Sequence, residues 1–236
     1  RKSRSKQHLK EGEAVRLAPD GDIERVTFDT DLFEEVWPFS SGIASSTGAL
    51  RFAPPWARRL KILRSDTEIF AVPEGQSRTL LRPLKVDIAG SGEYRREAEL
   101  SAAEIPSGTR VRSYVLQFHP VHSTDRRPLL RAVGDITFDR PVLGLIVQSE
   151  ALETSDVRFS FRPRHGPGQR PPPGSRPPPR FPREGIGFRQ LEFTDDGSGD
   201  VVTLSEDRRN ITLDLTARGR QPDRIRVIVE DSRTRR

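Results

Sequence analysis

The chain has 236 residues, of which 33% are hydrophobic and 31% are charged, and its formal net charge is +6. This length suffices for one large β-sandwich or two small domains, and the low hydrophobic fraction indicates that part of the sequence lies outside any core. The absence of cysteine excludes disulfides, thiol catalysis and thiolate metal sites, and no apolar run approaches the ~20 residues that a membrane-spanning helix needs.

The N-terminal quarter of the sequence has weak secondary-structure signals. Residues 1–22 are polar and charged, and they predict a basic, extended N-terminal arm. Residues 23–67 predict an irregular lead-in to a folded domain. Within this lead-in, residues 23–29 alternate like a strand, whereas the Pro, Gly and Ser clusters around Trp37 and Trp56 are typical of turns.

From residue 68 onward, short segments rich in Val, Ile, Leu, Phe and Thr alternate with turn residues, which predicts β-strands. The predicted strands cover residues 68–72, 84–88, 110–118, 135–138, 142–148, 188–193, 201–204, 210–216 and 224–230. No amphipathic helical repeat of useful length competes with them. Many short strands with frequent turns predict an all-β fold, an antiparallel β-sandwich or jelly roll, as a single domain over residues 23–232.

A Pro/Arg-rich segment over residues 162–183 interrupts the predicted strands. Nine of its 22 residues are proline. Proline cannot donate to a β-ladder, and its triplets favour the extended polyproline II conformation. The strands that follow make too small a sheet to be stable alone. We therefore interpret the segment as a long surface insert within one domain rather than as a linker between two.

Basic residues are concentrated in three segments without acidic residues: five in residues 1–10, six in residues 162–183 and three in the basic tail, residues 233–236. The rest of the chain has 26 basic and 34 acidic residues, a net charge of −8. Nucleic-acid-binding domains usually carry their basic patch on the folded face. This distribution instead predicts flexible extensions that contact an anionic neighbour, with solvated, inactive extensions as the alternative. The predicted partner-binding residues are Arg1, Lys2, Arg4, Lys6, Arg162, Arg164, Arg170, Arg176, Arg180 and Arg183.

Three segments match, in the same order, the patterns of one protein family. Residues 104–120 (EIPSGTRVRSYVLQFHP) are similar to PAGT-V-SY-L-HF-P, residues 135–156 to G-ITFD-PILGVIV-S-L-SD, and residues 200–230 to D-ISLS-D-RT-ITF followed by D-IRVIT. The chain thus resembles uncharacterised secreted bacterial proteins, common in planctomycetes, that often carry an exosortase (PEP-CTERM) sorting signal. The resemblance covers about residues 68–232 and implies export and a β-sandwich, without implying an activity.

The ends of the chain bear on the predicted location. The sequence stops at Arg236, before the Pro-Glu-Pro linker, apolar helix and basic tail that usually follow in this group. It also contains no methionine, not even an initiator, which fits removal of a signal peptide. We therefore expect a secreted, extracellular or cell-envelope protein after signal-peptide removal.

An acidic stretch over residues 195–200 (DDGSGD) resembles a calcium loop, because close Asp side chains supply hard oxygen ligands and Gly permits tight turns. Calcium is therefore the candidate cofactor, although the EF-hand spacing is absent and a polar hairpin turn is the alternative. The predicted ligands are Asp195, Asp196, Ser198 and Asp200. His119 and His122 form a weaker metal motif, because residues three apart in extended backbone point to opposite faces.

Two further features have alternative interpretations. Trp37 and Trp56 are candidate ligand-binding aromatics that can stack on sugar rings, or they pack at the edge of the sandwich. Glu150, Glu153 and Asp156 form a second acidic cluster, which we interpret as a solvated loop.

The sequence predicts a protein that is not an enzyme. It has no G-x-S-x-G elbow, no phosphate-binding glycine loop and no H-E-x-x-H motif, although paired carboxylates for glycoside cleavage are not visible in sequence spacing. Our leading hypothesis is a non-catalytic extracellular or cell-surface structural protein whose basic extensions contact neighbouring subunits or a larger partner complex. The alternatives are a glycan-binding module, with calcium as an aid, and a protein that binds nucleic acid or another polyanion through its basic extensions.

Overall fold

The computed structural model describes most of the chain. It covers the backbone of two strands, β1 (Glu13–Leu17) and β2 (Ile23–Thr27), and residues 41–53, 63–74, 77–121, 129–159, 190–217 and 222–231. The chain divides into two compact units, Arg1–Trp37 and Pro38–Arg236, whereas the sequence analysis placed the domain boundary after residue 22. In the first unit, β1 and β2 pair antiparallel. Residues 13–17 of the predicted arm are thus one strand of a hairpin.

The second unit is an all-β sandwich, which confirms the predicted fold class. The strands of its first sheet are, in chain order, β4 (Leu50–Phe52), β5 (Ile69–Pro73), β6 (Arg78–Thr79), β10 (Arg110–Phe118), β12 (Val142–Ile146) and β15 (Asp223–Glu230). In space they lie in the order β12, β15, β10, β5 and β4, and β6 also pairs with β10. The pairing of β4 with β5 is parallel, and the other pairs of this sheet are antiparallel.

The second sheet packs against the first. Its strands are β3 (Ile43–Gly48), β8 (Gly92–Tyr94), β11 (Leu130–Phe138), β13 (Val201–Leu204) and β14 (Asn210–Ala217). They lie in the antiparallel order β3, β11, β14, β13 and β8. The strands that follow residues 162–183 therefore belong to both sheets, and the chain on either side of that segment forms one sandwich.

The main core lies between the two sheets and follows from the two-residue period of the strands. Every second side chain of the central strands is buried there, and each buried Leu or Ile contributes about 1.5–3 kcal/mol of transfer free energy. The central members of this core are Tyr114, Leu116 and Phe118 of β10, Ile211, Leu213 and Leu215 of β14, and Ile225, Val227 and Val229 of β15.

The outer face of the first sheet is covered as well. A helix, α1 (Ser149–Phe159), and a two-stranded ribbon of β7 (Leu84–Val86) and β9 (Ala103–Ile105) pack on it. They form a second apolar cluster in which Leu152 and Phe159 meet Val111 and Ile228. Strands β10 and β15 are consequently buried on both faces.

Helix α1 corrects the sequence analysis, which predicted no helix and interpreted Glu150, Glu153 and Asp156 as a loop. The apolar periodicity of α1 is weak because its buried side includes Ser155, which binds a buried arginine rather than apolar neighbours. A helix that covers a charged group does not show the apolar stripe on which sequence prediction depends.

Strands β3 and β4 also correct the sequence analysis, because they lie in the predicted irregular lead-in and contribute to both sheets. The chain changes sheets at Gly48, whose φ of 66° is in the left-handed region that favours glycine. A Cβ at Gly48 would lie 2.5 Å from the carbonyl oxygen of Val133. Strand β3 escaped prediction because its Ala, Ser and Thr side chains are exposed and show no apolar alternation.

One predicted strand is wrong in its described part. Residues 190–193 form no strand, although the backbone N–H of Leu191 donates to the carbonyl of Val147 at 3.3 Å. In the part of the chain that the structure describes, no helix is both long and apolar enough to cross a membrane.

Candidate functional site

A pocket of about 240 Å³ lies where β12 ends and β15 begins. We call it the end pocket. Its walls come from the 3₁₀ turn Glu97–Glu99, the residues just after β12, the segment before β13 and the first residue of β15. The lining residues are Glu97, Val147, Gln148, Gln190, Leu191, Glu192, Phe193 and Asp223. Among these described lining residues, three are acidic and none is basic.

Asp223 is the most unusual residue of the end pocket. It has the same parity as Ile225 and Val227, so β15 places its side chain toward the interior, where it is 4% exposed. Its Oδ2 atom has no hydrogen-bond partner among the described residues. Burial, reinforced by the charges of Asp200 and Glu192, raises the pKa of Asp223 to about 9. The carboxyl group therefore keeps its proton at neutral pH.

Asp200 lies behind the pocket and fixes one of its walls. Its Oδ2 accepts a hydrogen bond from the backbone N–H of Glu192 at 2.6 Å, and its Oδ1 accepts from the N–H of Thr216 at 2.7 Å. Burial raises the pKa of Asp200 to about 6, and these hydrogen bonds oppose the rise. The carboxylate thus joins the segment before β13 to strand β14 and positions Glu192.

The opposite wall is held by a similar arrangement. Asp87 is buried, and its Oδ2 accepts hydrogen bonds from the N–H groups of Val147 and Gln148 at 2.7 and 2.9 Å. Burial raises the pKa of Asp87, although these bonds oppose the rise. The side chain of Gln148 donates to Glu97 Oε1 at 2.6 Å. The polar groups on this side of the pocket are therefore placed before any ligand arrives.

The structure does not bring the four predicted calcium ligands together. Asp196 Oδ1 accepts hydrogen bonds from Thr194 Oγ1, from the Ser198 N–H and from Ser198 Oγ, and these bonds lower the pKa of Asp196 to about 2. Asp195, Asp196 and Ser198 are exposed, whereas Asp200 is fully buried in its own hydrogen bonds. The stretch is arranged as a polar turn. Among the described residues, no group of three or more His, Asp or Glu side chains is placed to hold a metal ion.

The other predicted site residues are mostly not described. His119 is buried at the end of β10, and His122 lies outside the described residues. The same holds for the aromatic candidates and for every predicted partner-binding residue: Trp37, Trp56, Arg1, Lys2, Arg4, Lys6, Arg162, Arg164, Arg170, Arg176, Arg180 and Arg183.

A second buried acidic cluster, on the outer face of the first sheet, contains an arginine. Arg226 is 2% exposed and binds both oxygens of Glu74, from Nε at 2.6 Å and from Nη2 at 2.7 Å. Its Nη2 also donates to Asp156 Oδ1 at 2.7 Å, and its Nη1 donates to Ser155 Oγ and to the carbonyl of Leu152. The Phe159 ring lies 5.6 Å from the guanidinium carbon. This Arg226 cluster holds α1 on the sheet.

Sequence reasoning missed Asp223, Glu192 and Glu97, and it assigned Asp200 to a different kind of site. One signal was present for Asp223. The alternation of Ile225, Val227 and Val229 extends back to residue 223, which places a carboxylate at an inward-facing position. A carboxylate on a buried face needs a partner or a proton, so this position alone indicates an unusual site.

No protein-family model, curated protein or solved structure matches the chain. The resemblance to secreted bacterial proteins therefore stays a prediction from three sequence segments. What the protein does has to be inferred from the end pocket, the Arg226 cluster and the distribution of charge.

Proposed function

We propose that this protein is a non-catalytic structural component of an extracellular or cell-surface assembly, in which basic extensions of one molecule contact acidic residues of another. The observation that carries the proposal is the end pocket, whose described lining residues include three acidic residues, Glu97, Glu192 and Asp223, and no basic one. The excess positive charge of the chain lies in residues 1–10, 162–183 and 233–236 instead. Opposite charges are thus placed on separate parts of one chain.

The end pocket favours binding over catalysis. At about 240 Å³ it is smaller than the ~300–1,000 Å³ of pockets for drug-sized ligands, and its size suits a single side chain. Asp87 and Asp200 are engaged by backbone N–H groups, so they hold the walls in place. None of the described residues that line the pocket with Asp223 is a base that would orient it for acid–base chemistry.

Electrostatic association of this kind is sensitive to salt. Outside the three basic segments the chain has a net charge of −8, and residues 11–37 carry most of it, with nine acidic and two basic residues. The opposite charges on different segments of the chain attract copies to one another. Exposed charges are screened over a Debye length of about 8 Å at physiological ionic strength. The assembly should therefore weaken as salt is added.

Light scattering on the purified chain tests the proposal. We expect a species larger than the monomer at about 0.05 M salt that dissociates at about 0.5 M salt. Replacing the six arginines of residues 162–183 by Gln, together with the five basic residues of 1–10, should abolish association. The matched variant with Lys in place of each of these arginines keeps the charge and should associate more strongly than the Gln variant. A monomer under every condition, or association unchanged by the Gln replacements, would overturn the proposal.

A further inference from the structure

The unpaired Oδ2 atom of Asp223 indicates a missing partner. Buried polar side-chain atoms in folded proteins nearly always have a hydrogen-bond partner, because burial without one is costly. Asp223 is only 4% exposed, and it lines the end pocket. Because Asp223 lines the pocket, a ligand that enters the pocket can supply the partner that this buried atom lacks.

The surroundings of Asp223 indicate the charge of that ligand. The charge effects on its carboxyl group come from Asp200 and Glu192, both acidic, and Glu97 lies across the pocket. Gln148 and Gln190 add two neutral polar residues to the lining. Such a site attracts a group that is positively charged and carries several N–H donors.

The Arg226 cluster shows how this sandwich accommodates such a group. There a guanidinium is bound by Glu74, Asp156 and a serine hydroxyl, beside the ring of Phe159. The end pocket offers carboxyl groups as well, a buried one in Asp223 and two exposed ones in Glu192 and Glu97, and Phe193 lines its wall. The end pocket differs in that no arginine is among the lining residues that the structure describes.

We infer that the end pocket binds the guanidinium group of an arginine side chain that comes from outside the described sandwich. The residues of the pocket by themselves support the binding of a guanidinium group. That the arginine comes from a neighbouring copy rests on the proposed function. Arginine is favoured over lysine because its planar fork has five donors, is weakly hydrated and packs against aromatic rings. A metal ion is disfavoured because the described carboxylates do not converge as metal ligands do.

Binding of a cation should be linked to proton release. Burial and the neighbouring Asp200 and Glu192 raise the pKa of Asp223, so the empty pocket holds a proton there. A bound guanidinium favours the ionised carboxylate and displaces that proton. Affinity should therefore increase as the pH rises from about 6 to about 9.

Titration of the full chain with N-acetyl-arginine methylamide, followed by NMR, tests the inference. We expect shifts of the backbone amides of Val147, Leu191 and Phe193, and weaker or absent shifts with the lysine and citrulline counterparts. The variant Asp223→Asn should bind about tenfold more weakly or not at all. The control Asp207→Asn, in an exposed turn at the other end of β13, should bind like the unchanged protein.

Equal binding of citrulline and arginine would overturn the inference. Undiminished arginine binding by Asp223→Asn with its amide spectrum intact would overturn it as well. The inference is also overturned if calcium shifts the same amide signals and added arginine does not compete with calcium. A peptide of residues 169–183, compared with an arginine-containing peptide of unrelated sequence, distinguishes the chain's own segment from another source. If the chain binds arginine but stays monomeric, the proposed assembly is refuted and the pocket assignment stands. If the chain assembles and Asp223→Asn leaves the assembly intact, the pocket does not take part in assembly.

Discussion

The Arg226 cluster and the end pocket place buried carboxylates in one sandwich, but they satisfy them differently. At the first, Glu74 and Asp156 are neutralised by a guanidinium that is itself 2% exposed. At the second, Asp223 meets two other carboxylates, and burial raises its pKa to about 9. In these two places a buried carboxyl group is kept as an ion beside an arginine or as a neutral acid, whereas Asp200 is held by backbone N–H groups.

The difference also separates a stabilising site from a site available for binding. The Arg226 cluster joins α1 to the first sheet, so its ion pairs are used within the fold. The end pocket is enclosed by polar groups that Asp87 and Asp200 hold in place, yet Asp223 Oδ2 remains unpaired among the described residues. Four substitutions compare these two regions, from the largest expected effect to the smallest.

Removing the arginine should make the first cluster resemble the second and cost the most. Arg226→Met leaves Glu74 and Asp156 buried without a counter-charge, and we expect the free energy of unfolding to fall by about 3–5 kcal/mol in urea denaturation. The control Arg224→Met, on the same strand, loses a hydrogen bond to the neutral Gln117 and should cost about 1 kcal/mol. The double variant Arg226→Met/Glu74→Leu should recover part of the lost stability. If it is less stable than Arg226→Met alone, an uncompensated charge is not the cause of the loss.

Removing the carboxylate that supports the end pocket should have the next largest effect. Asp200→Ala leaves the backbone N–H groups of Thr216 and Glu192 without their acceptor, and we expect a loss of about 2–3 kcal/mol in the same assay. The matched change Asp196→Ala, in the exposed turn, should leave the midpoint nearly unchanged. If the two changes lower the free energy of unfolding equally, the buried hydrogen bonds of Asp200 stabilise the protein no more than the exposed ones of Asp196.

Neutralising Asp223 should stabilise the protein, in contrast to the first two changes. Its folded pKa of about 9 exceeds the ordinary 3.8, so the folded state holds a proton that the unfolded state has lost. The contribution of Asp223 to stability is therefore fully present below about pH 4 and is lost as the pH rises toward 9. Asp223→Asn cannot ionise, so its stability does not fall in this way as the pH rises. We expect its free energy of unfolding to exceed that of the unchanged protein by roughly 2 kcal/mol at pH 8 and to equal it at pH 4. A gain that is independent of pH would contradict the assigned titration.

An exposed ion pair should matter least. Arg131 donates from Nε and Nη2 to the two oxygens of Asp214 across strands β11 and β14, on the exposed side of the second sheet. Water screens this pair, and holding two long side chains costs entropy. Arg131→Ala should leave the urea midpoint unchanged within error. A loss comparable to that of Arg226→Met would mean that burial does not explain the contrast between the two regions.

Several parts of the fold could be predicted because their signals are local. Strand β10 matches its predicted range, residues 110–118, and strands β5, β7 and β12 to β15 begin or end within two residues of theirs. Strands β3 and β4 could not be found in this way, because small polar side chains at a sheet edge carry no alternation. Helix α1 was missed because part of its buried side binds Arg226.

The sequence by itself determined the all-β class, the inward-facing position of Asp223 on its strand and the separation of basic segments from an acidic remainder. These properties depend on composition and on the alternation of neighbouring residues, which a sequence shows directly. The tertiary structure alone decided which carboxylates meet. Glu97, Glu192 and Asp223 are far apart along the chain and share a pocket because the segment before β13 is tied to β14 through Asp200. No local pattern encodes that proximity, because it depends on how the two sheets pack.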